Sequence, residues 1–240
     1  MPAQLPVEVG VTAIPFVAFG PSHLIGMLLV LIIAVGFPAT TRLLATPTEQ
    51  RWLEIGLAAL LMAHVVANAW VRKGLYGQPL QEHLPLHLCG ASILLSVVVL
   101  LFHSYRAYEI TYFWALGGAI PSLIMPDVEY TFPHPFFILF FIGHGLELTG
   151  VTFATIVMEF RLRPGCVARA LAATVVYASI IMPLNYLLDS NYLYLRHKPE
   201  QATLIDLLGP WPWYILSLAL MAVLVAVALY LPFAALLKRR

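Results

Sequence analysis

The sequence predicts an all-α integral membrane protein, a bundle of about seven transmembrane helices. Two features of its composition support this prediction, since 61% of the 240 residues are hydrophobic and only 10% are charged. A soluble domain of this size carries about 25% charged residues, so the chain has too little charge to cover a surface that faces water. The third feature is the grouping of the apolar residues into seven long segments.

Each apolar segment is close to the length that a membrane-spanning helix needs, about 20 residues. The spans are expected to be helical because lipid offers the backbone no hydrogen-bond partner. In chain order, the predicted spans are residues 22–44, 51–71, 84–103, 107–125, 135–160, 167–188 and 210–236.

Turn-forming residues separate the predicted spans. Proline interrupts a helix because it lacks the backbone N–H, and glycine because it is conformationally free. Pro85 and Pro135 are each predicted to occupy the first turn of a helix, where the missing N–H costs nothing. The interruptions are Thr46-Pro47-Thr48-Glu49, Gly77-Gln78-Pro79, Met125-Pro126-Asp127, Pro133-His134-Pro135, Arg163-Pro164-Gly165 and Gly209-Pro210-Trp211-Pro212-Trp213.

Charge and cysteine content exclude several classes of protein. The net charge of +1 provides no basic surface, so no nucleic-acid partner is expected. The two cysteines, Cys89 and Cys166, fall on opposite sides of the membrane and do not form a disulfide framework. The N-terminus lacks the pattern of a signal peptide, so the first long helix is expected to remain as a span. We expect a single transmembrane domain over residues 1–240, because no long polar segment divides the chain.

The lysines and arginines between the spans predict the orientation. Alternation of the spans places nine of the 13 basic residues on the side of the C-terminus and four on the side of the N-terminus. Because cytoplasmic loops are enriched in Lys and Arg, we expect a multi-pass plasma membrane protein with its N-terminus outside and its C-terminus in the cytoplasm. The nine are Arg42, Arg51, Arg106, Arg161, Arg163, Arg169, Lys238, Arg239 and Arg240.

Polar side chains in and beside the predicted spans lie mostly toward the outer side. Such residues are costly in lipid, and their presence commonly marks a functional site. The simplest interpretation is a polar cavity that opens outward or toward the outer leaflet. Its candidate residues are His64, Asn68, His83, His87, Cys89, Asp127, Glu129, His134, His144, Glu147, Asn185 and Asp189.

Cys89 and His144 are the pair with the clearest chemical potential. Counted from the predicted helix starts, Cys89 lies about 6–8 Å deep and His144 about 14 Å deep, at about 1.5 Å per residue. An offset between the two helices would close this difference. A cysteine becomes a nucleophile when a base such as histidine removes its proton. The alternative is that Cys89 is a small packing residue and that His144 only bonds a neighbouring helix.

A metal site is the alternative chemistry for the same region. His83 and His87 are four residues apart, and His144 and Glu147 are three apart, so each pair is expected to share a helix face. Two histidines, a carboxylate and one more His or Cys would form a set of zinc ligands. The sequence has no HExxH motif, however, and His83 is also consistent with a place in the interfacial water. We therefore expect neither a metal nor a cofactor.

The loop at residues 190–200 is the most polar segment, and its Arg196 and Lys198 run against the general charge bias. A phospholipid phosphate is a natural partner for a guanidinium and an ammonium group. The alternative is a solvated loop that Trp211 and Trp213 anchor at the membrane interface. The sequence alone leaves both interpretations open.

A series of short motifs follows in order along most of the chain. The motifs are Leu84-Pro85-Leu86-His87-Leu88-Cys89, Tyr112-Phe113-Trp114, Gly117-Gly118-Ala119, Phe132-Pro133-His134, Phe141-Ile142-Gly143-His144-Gly145, Asn185-Tyr186-Leu187-Leu188, Ser190-Asn191-Tyr192, His197-Lys198-Pro199 and Leu207-Leu208-Gly209-Pro210-Trp211-Pro212-Trp213-Tyr214. Together they resemble the bacterial YwaF-like family of intramembrane proteins, which is similar to the eukaryotic transmembrane protein 164 acyltransferase group. A more distant likeness is to integral-membrane hydrolases of fatty-acid esters.

The resemblance implies acyl transfer between phospholipids through a cysteine, with Cys89 and His144 as the comparable residues. We therefore expect an acyl thioester on Cys89, with His144 as general base and then acid, and with phospholipids and lysophospholipids as the partners. The alternative is a transporter or ligand-binding protein with a polar outward cavity and no covalent chemistry. Residues expected to bind the oxyanion or the headgroup, or to support the site, are His87, His64, Asn68, His134, Glu147, Asn185, Asp189, Arg196 and Lys198.

Overall fold

The computed structural model describes residues 13–199 and 204–237. Over these ranges the chain is helical, and each predicted span corresponds to one long α-helix. The prediction of an all-α bundle is therefore confirmed. The helices are α1 (Pro21–Leu44), α2 (Pro47–Ala69), α3 (Leu88–Phe102), α4 (Tyr105–Ile124), α5 (Pro135–Ile156), α6 (Cys166–Leu187) and α7 (Trp213–Leu237).

Five of these helices, α1, α2, α5, α6 and α7, are long and apolar enough to cross a membrane. The helix α3 is apolar but has only 15 residues, which makes it about 22 Å long at about 1.5 Å per residue. Large apolar side chains on the outer helices are exposed, among them Leu28, Val175 and Leu224. A surface of this kind suits contact with lipid rather than water. The chain is therefore a multi-helix membrane bundle.

Contacts between loops show which segments share one end of the bundle. The Tyr192 hydroxyl, in the loop after α6, accepts from the Leu84 N–H, which precedes α3, at 2.9 Å. The Phe16 N–H, before α1, donates to the Glu129 carbonyl, between α4 and α5, at 2.9 Å. We call the end of the bundle that carries these four segments, before α1, before α3, between α4 and α5 and after α6, the cavity end. The contacts agree with alternation of the helices, while the side of the membrane that this end faces remains a prediction.

Part of the charge pattern behind the predicted orientation cannot be compared with the structure. Lys238, Arg239 and Arg240 lie outside the described residues. The other basic residues of the C-terminal side lie at the end opposite the cavity, where Arg42 pairs with Glu159 at 2.6 Å. That contact joins the end of α1 to the residues after α5.

Glycines allow α1 and α3 to pack closely against α5. A β-carbon at Gly26 of α1 would lie 2.8 Å from the Phe141 ring of α5, and one at Gly150 of α5 would lie 3.2 Å from the Ser96 Cβ of α3. Small residues at such interfaces are typical of membrane helices, because they let the backbones approach. The helices α6 and α7 pack on this central group through α4, and a cavity lies beside them.

The helix α3 begins at Leu88, four residues later than predicted. Pro85 consequently precedes the helix instead of occupying its first turn, and that prediction is wrong. The backbone of Pro85 folds over the start of α3, since a β-carbon at Gly90 would lie 2.7 Å from the Pro85 Cα.

The same late start separates His83 from His87. His83 follows the short 3₁₀ helix Leu80–Glu82, and His87 is the residue that precedes α3. The prediction that these two histidines share a helix face is therefore wrong, because the chain between them forms a tight turn. Pro135 does occupy the first turn of α5, as predicted.

Candidate active site

A cavity of about 1520 Å³ lies inside the bundle and is bordered by α2 to α7. Near the loops its walls are polar and charged, whereas the part between α4, α6 and α7 is apolar and includes small side chains such as Ala178 and Ala222. Most of the candidate residues from the sequence share this cavity. They are His64, Asn68, His83, His87, Cys89, Asp127, Glu129, His144, Glu147, Asp189, Arg196 and Lys198.

Cys89 is the second residue of α3, and its side chain lies against α4. A β-carbon at Gly118 of α4 would be only 3.2 Å from the Cys89 Sγ, so the glycine leaves the space that the thiol occupies. The thiol is not part of a disulfide. Cys89 is the second residue of α3 and His144 the tenth of α5, so the two side chains meet because α3 begins deeper in the bundle than α5.

His144 projects from the middle of α5 and is held by its own helix. Its Nδ1 lies 2.9 Å from the Phe140 carbonyl, and a carbonyl oxygen can only accept a hydrogen bond. In the neutral ring the proton is therefore on Nδ1, and Nε2 presents a lone pair. The Phe140 ring packs on the imidazole with 4.1 Å between ring centroids, which further restricts its rotation.

Glu147 lies almost one helical turn after His144 and is fully buried. The Ser92 hydroxyl forms a short hydrogen bond with its Oε1 and also lies 3.0 Å from the Cys89 carbonyl. The other oxygen, Oε2, is buried without a hydrogen-bond partner among the described residues. Unpaired buried carboxyl oxygens are uncommon, because each one forfeits its hydration.

The three side chains meet in space. The Cys89 Sγ, a ring nitrogen of His144 and a carboxyl oxygen of Glu147 all lie within 4.8 Å of one another. A thiol beside a histidine with a free lone pair has the parts of a cysteine nucleophile and its base. Thiolate, imidazole and carboxylate are also the ligand types of a zinc site.

His64 and Asn68, both expected to assist the reaction, line the cavity from α2, and His64 lies beside the backbone next to His144. A β-carbon at Gly143 would be 2.5 Å from the His64 Nε2, so the His64 ring rests directly on the α5 backbone. Asn68, one turn further along α2, accepts a hydrogen bond from Arg72 Nε at 3.2 Å.

His87, the residue that precedes α3, packs between two tyrosine rings of the loop after α6. The centroid of the His87 ring lies 5.1 Å from that of the Tyr192 ring and 5.2 Å from that of the Tyr194 ring. The Tyr194 hydroxyl donates to the Asp127 Oδ2 at 2.9 Å. Burial and the nearby Asp127 carboxylate raise the pKa of Tyr194, so the phenol stays protonated and keeps this bond.

His134 and Asn185 are candidate residues that do not line the cavity. The His134 Nδ1 accepts from the Phe136 N–H at 3.2 Å and so caps the start of α5. The buried Asn185 side chain accepts from the Tyr192 N–H at 2.7 Å and donates to the Tyr192 carbonyl at 2.9 Å. Both residues hold loops of the cavity end in place.

Asp189, Arg196 and Lys198 line the cavity, and their charges are paired. The Arg196 guanidinium bonds the Asp189 carboxylate at 2.9 Å, and Lys198 lies 3.7 Å from the Asp206 carboxylate. These pairs leave each of the two cations with a carboxylate neighbour before any ligand is bound.

Sequence reasoning did not identify Arg72, Ser92 or Gly118 as site residues. Ser92 follows Cys89 by three residues, so helical spacing was the signal that could have found it. In the sequence, Arg72 is only one of the four basic residues on the predicted side of the N-terminus. It lies in a π-helical segment, Trp70–Leu75, which continues α2, and π-helical turns often occur at functional sites. Gly118 has no signal in the sequence alone, because its role depends on a neighbouring helix.

The polar wall near Arg72 includes the partly buried His83. Burial, the Arg72 charge and the neighbouring His87 lower the pKa of His83 to about 4. The His83 Nε2 is buried without a hydrogen-bond partner among the described residues. Near neutral pH His83 is therefore uncharged, and Arg72 supplies the positive charge of this wall.

Comparisons with known proteins extend over most of the chain. The sequence model of the TMEM164 family matches residues 18–230. An uncharacterized protein of Treponema pallidum (strain Nichols) is 27% identical over 157 residues, 65% of each chain. The chain thus spans 65% of the length of this curated relative, whose name assigns no activity. No solved structure matches the chain.

Proposed function

The chain belongs to the TMEM164 family, and we propose that it is a cysteine-dependent acyltransferase that moves a fatty acyl chain from a phospholipid to a lysophospholipid. The observation that carries the proposal is the meeting of Cys89, His144 and Glu147 within 4.8 Å. These residues line a cavity that has both polar and apolar walls. An acyl ester with a charged headgroup needs both kinds of wall.

The first half of the reaction forms an acyl thioester on Cys89. His144 Nε2 takes the thiol proton, and the thiolate attacks the carbonyl carbon of the donor ester. The tetrahedral intermediate collapses as the bond to the glycerol oxygen breaks. The imidazolium of His144 then gives its proton to that oxygen, and a lysophospholipid leaves.

The second half returns the enzyme to its starting state. A hydroxyl of the acceptor lysophospholipid enters, and His144 takes its proton while the oxygen attacks the thioester carbonyl. The carbon–sulfur bond breaks and the thiolate recovers the proton from His144. Glu147 lies close enough to both groups to share the proton as it moves, and the Ser92 hydroxyl holds its carboxyl group in place.

The apolar part of the cavity is suited to the acyl chain. Its walls include Val175 of α6 and Ala222 of α7, and both side chains are also exposed at the surface of the bundle. An acyl chain can therefore enter sideways from the lipid without crossing water. We expect the developing oxyanion to be bound by polar groups of the same cavity, a contact worth roughly 3 kcal/mol in known enzymes. The candidates are His64, Asn68 and His87.

We also propose that the chain is part of a YwaF-like bacterial branch and resides in the plasma membrane, with the cavity end facing outward. The charge bias between the spans supports this orientation. A membrane-impermeant thiol reagent applied to intact cells would test it on a single cysteine placed at the exposed Leu80. Labelling that occurs only after the cells are broken would show that the cavity end faces the cytoplasm.

The acyltransferase proposal is tested by the intact mass of the purified protein in phospholipid. We expect an added fatty-acyl mass that neutral hydroxylamine removes, because thioesters are cleaved under these conditions. The adduct should be absent in Cys89→Ala and present in Cys166→Ala. Cys166 is a buried cysteine at the other end of the bundle and serves as the matched control. If the parent protein forms no adduct with any of several donor lipids, the thioester is refuted and non-covalent ligand binding or transport is favoured.

The unpaired Glu147 Oε2 favours a second candidate, a zinc-dependent lipid hydrolase. Cys89, His144 and Glu147 would hold the ion as three protein ligands and leave one position for water, as in catalytic zinc sites. Metal analysis of the purified protein would distinguish the candidates. About one zinc per chain, lost in both Glu147→Gln and His144→Gln, would support the hydrolase; a metal-free protein that still forms the thioester would exclude it.

A further inference from the structure

Arg72 occupies a distinct position in the polar wall of the cavity. It lies in the π-helical segment that continues α2, and its guanidinium stacks on the Phe136 ring at 4.4 Å. Nε donates to the Asn68 Oδ1 at 3.2 Å, and Nη1 donates to the Gln78 Oε1 at 3.3 Å. The planar group is thus held in one orientation by two bonds and a ring.

The partners of Arg72 differ from those of the other cations in the cavity. Arg196 and Lys198 each have a carboxylate at ion-pair distance, whereas the hydrogen bonds of Arg72 among the described residues go to uncharged amides. Asp127 also acts on Arg72 electrostatically. A guanidinium has five N–H donors, so Arg72 retains donors and charge for an anion.

A second group beside Arg72 is also unpaired. The His83 Nε2 is buried without a partner among the described residues, and His83 lines the same cavity and feels the Arg72 charge. A fixed guanidinium together with a neutral imidazole provides several N–H donors in the lining of one cavity. Phosphate oxygens are the acceptors that suit such a set, because they are anionic and match the guanidinium fork.

We propose that Arg72 binds a phosphate group, that of a lipid headgroup, and thereby holds the substrate in the cavity that contains Cys89. The inference rests on the proposed function for the identity of the substrate, but the binding site itself does not require any chemistry at Cys89. Arg72 binds the phosphate oxygens, and the acyl chains extend toward the apolar wall between α4, α6 and α7. It is a substrate-binding residue in this scheme.

Binding is measured without turnover, on the full-length Cys89→Ala protein in detergent micelles, by native mass spectrometry. The probes are a dioleoyl phospholipid and dioleoylglycerol, which carries the same acyl chains and no phosphate. We expect Arg72→Gln to weaken phospholipid binding about tenfold or more, since a charge-assisted bidentate contact is lost. Dioleoylglycerol binding should change less than twofold.

The matched control is Arg163→Gln. Arg163 also stacks on an aromatic ring, that of Tyr105 at 3.9 Å, but at the opposite end of the bundle and outside the cavity. The Arg163→Gln variant should bind both lipids with the same affinities as the Cys89→Ala parent. Equal phospholipid binding by Arg72→Gln and the parent would overturn the proposal. An equal loss for both lipids would indicate a general loss of structure, and Arg72→Lys then provides the test.

Two further measurements keep the test decisive. Arg72→Lys retains the charge without the fork, so it should bind phospholipid more weakly than the parent and dioleoylglycerol equally well. Equal losses for both lipids in Arg72→Lys would overturn the proposal, even if the glutamine variant is unfolded. Inorganic phosphate distinguishes the two sources of the ligand. Arg72-dependent binding of inorganic phosphate with no preference for phospholipid over dioleoylglycerol would assign the site to a free anion and overturn the lipid assignment. Because all arms lack Cys89, a failure of acyl transfer does not affect them.

Discussion

Gly118 of α4 lies directly against the Cys89 thiol, and a β-carbon at this position would be 3.2 Å from Sγ. The spacing is tighter than ordinary van der Waals contact, so any side chain here displaces the sulfur. The absence of a side chain at Gly118 therefore sets where the thiol lies relative to His144. This relationship connects helix packing to the chemistry of the site.

Gly118→Ala is expected to slow thioester formation. The added methyl group pushes Sγ away by several tenths of an ångström, and a misplacement of about 1 Å commonly costs about a hundredfold in rate, so a loss of roughly tenfold is expected. The rate of acyl-adduct formation by intact mass measures it. Gly56→Ala is the matched control, because a β-carbon at Gly56 meets no atom within 4 Å. An unchanged rate in Gly118→Ala would show that the thiol position tolerates the methyl group.

Glu147→Gln is expected to slow acylation with little loss of thermal stability. The amide preserves the volume and can keep the bond to Ser92, but it can no longer take a proton. Proton sharing of this kind contributes about a hundredfold or more to rate. Single-turnover acylation, followed beside the melting temperature in detergent, separates the two effects. A variant that acylates at the parent rate would remove Glu147 from the mechanism.

Glu109→Gln should behave in the opposite way. Glu109 is also buried, but it lies at the opposite end and pairs with Arg169. Neutralising it removes the ion pair and leaves a partly exposed arginine without its partner, which is expected to cost about 1–2 kcal/mol of stability. The melting temperature should fall while the acylation rate of the folded protein stays the same. Lost acylation with unchanged melting would contradict this separation of roles.

Acidification should destabilise the protein through His83. Burial, with Arg72 and His87 nearby, lowers the pKa of His83 to about 4, below its ordinary value of 6.5. Between these values the unfolded chain binds the proton and the folded chain does not, so stability falls as the pH drops from about 6.5 to 4, by about 1–2 kcal/mol because solvent screens this partly exposed group. Melting temperatures across this range measure the effect. His83→Gln should reduce the slope, and an identical slope would assign it to other groups.

Ala222→Trp is expected to restrict the acyl chain that the protein accepts. Ala222 of α7 lines the apolar part of the cavity, and an indole there occupies space that a long chain requires. Transfer of long chains should fall several-fold relative to short ones in a competition between donors. Ala228→Trp provides the control, since Ala228 is an exposed residue of the same helix that does not line the cavity. Equal losses for all chain lengths would place the acyl chain elsewhere.

Much of the architecture could be predicted from the sequence, because hydrophobic length and turn residues act locally. The seven segments became seven helices, and Pro135 opens α5 as expected. The start of α3 was not predictable in this way. The apolar run continues through Leu84 and Leu86, yet the chain forms a turn there that folds over α3. Contacts with other segments, including the Tyr192 hydroxyl, determine that turn.

The candidate site was predictable in its residue types and only in part in its arrangement. Polar residues in an apolar chain are conspicuous, so Cys89, His144 and Glu147 were found. The sequence could not separate His134 and Asn185, which support loops, from residues that line the cavity. Both kinds are polar and lie near the same ends of helices, and only their contacts distinguish them.

The sequence by itself determined that the chain is helical and belongs in a membrane, since composition and apolar length dictate the solvent of each segment. Tertiary structure decided the depth of Cys89, the meeting of its thiol with His144 and Glu147, and the uncharged partners of Arg72. The physical reason is that the two kinds of interaction act over different distances along the chain. Hydrophobicity acts over neighbouring residues, whereas the distance between two helices depends on small residues such as Gly118 that lie far apart in the chain and meet only after packing.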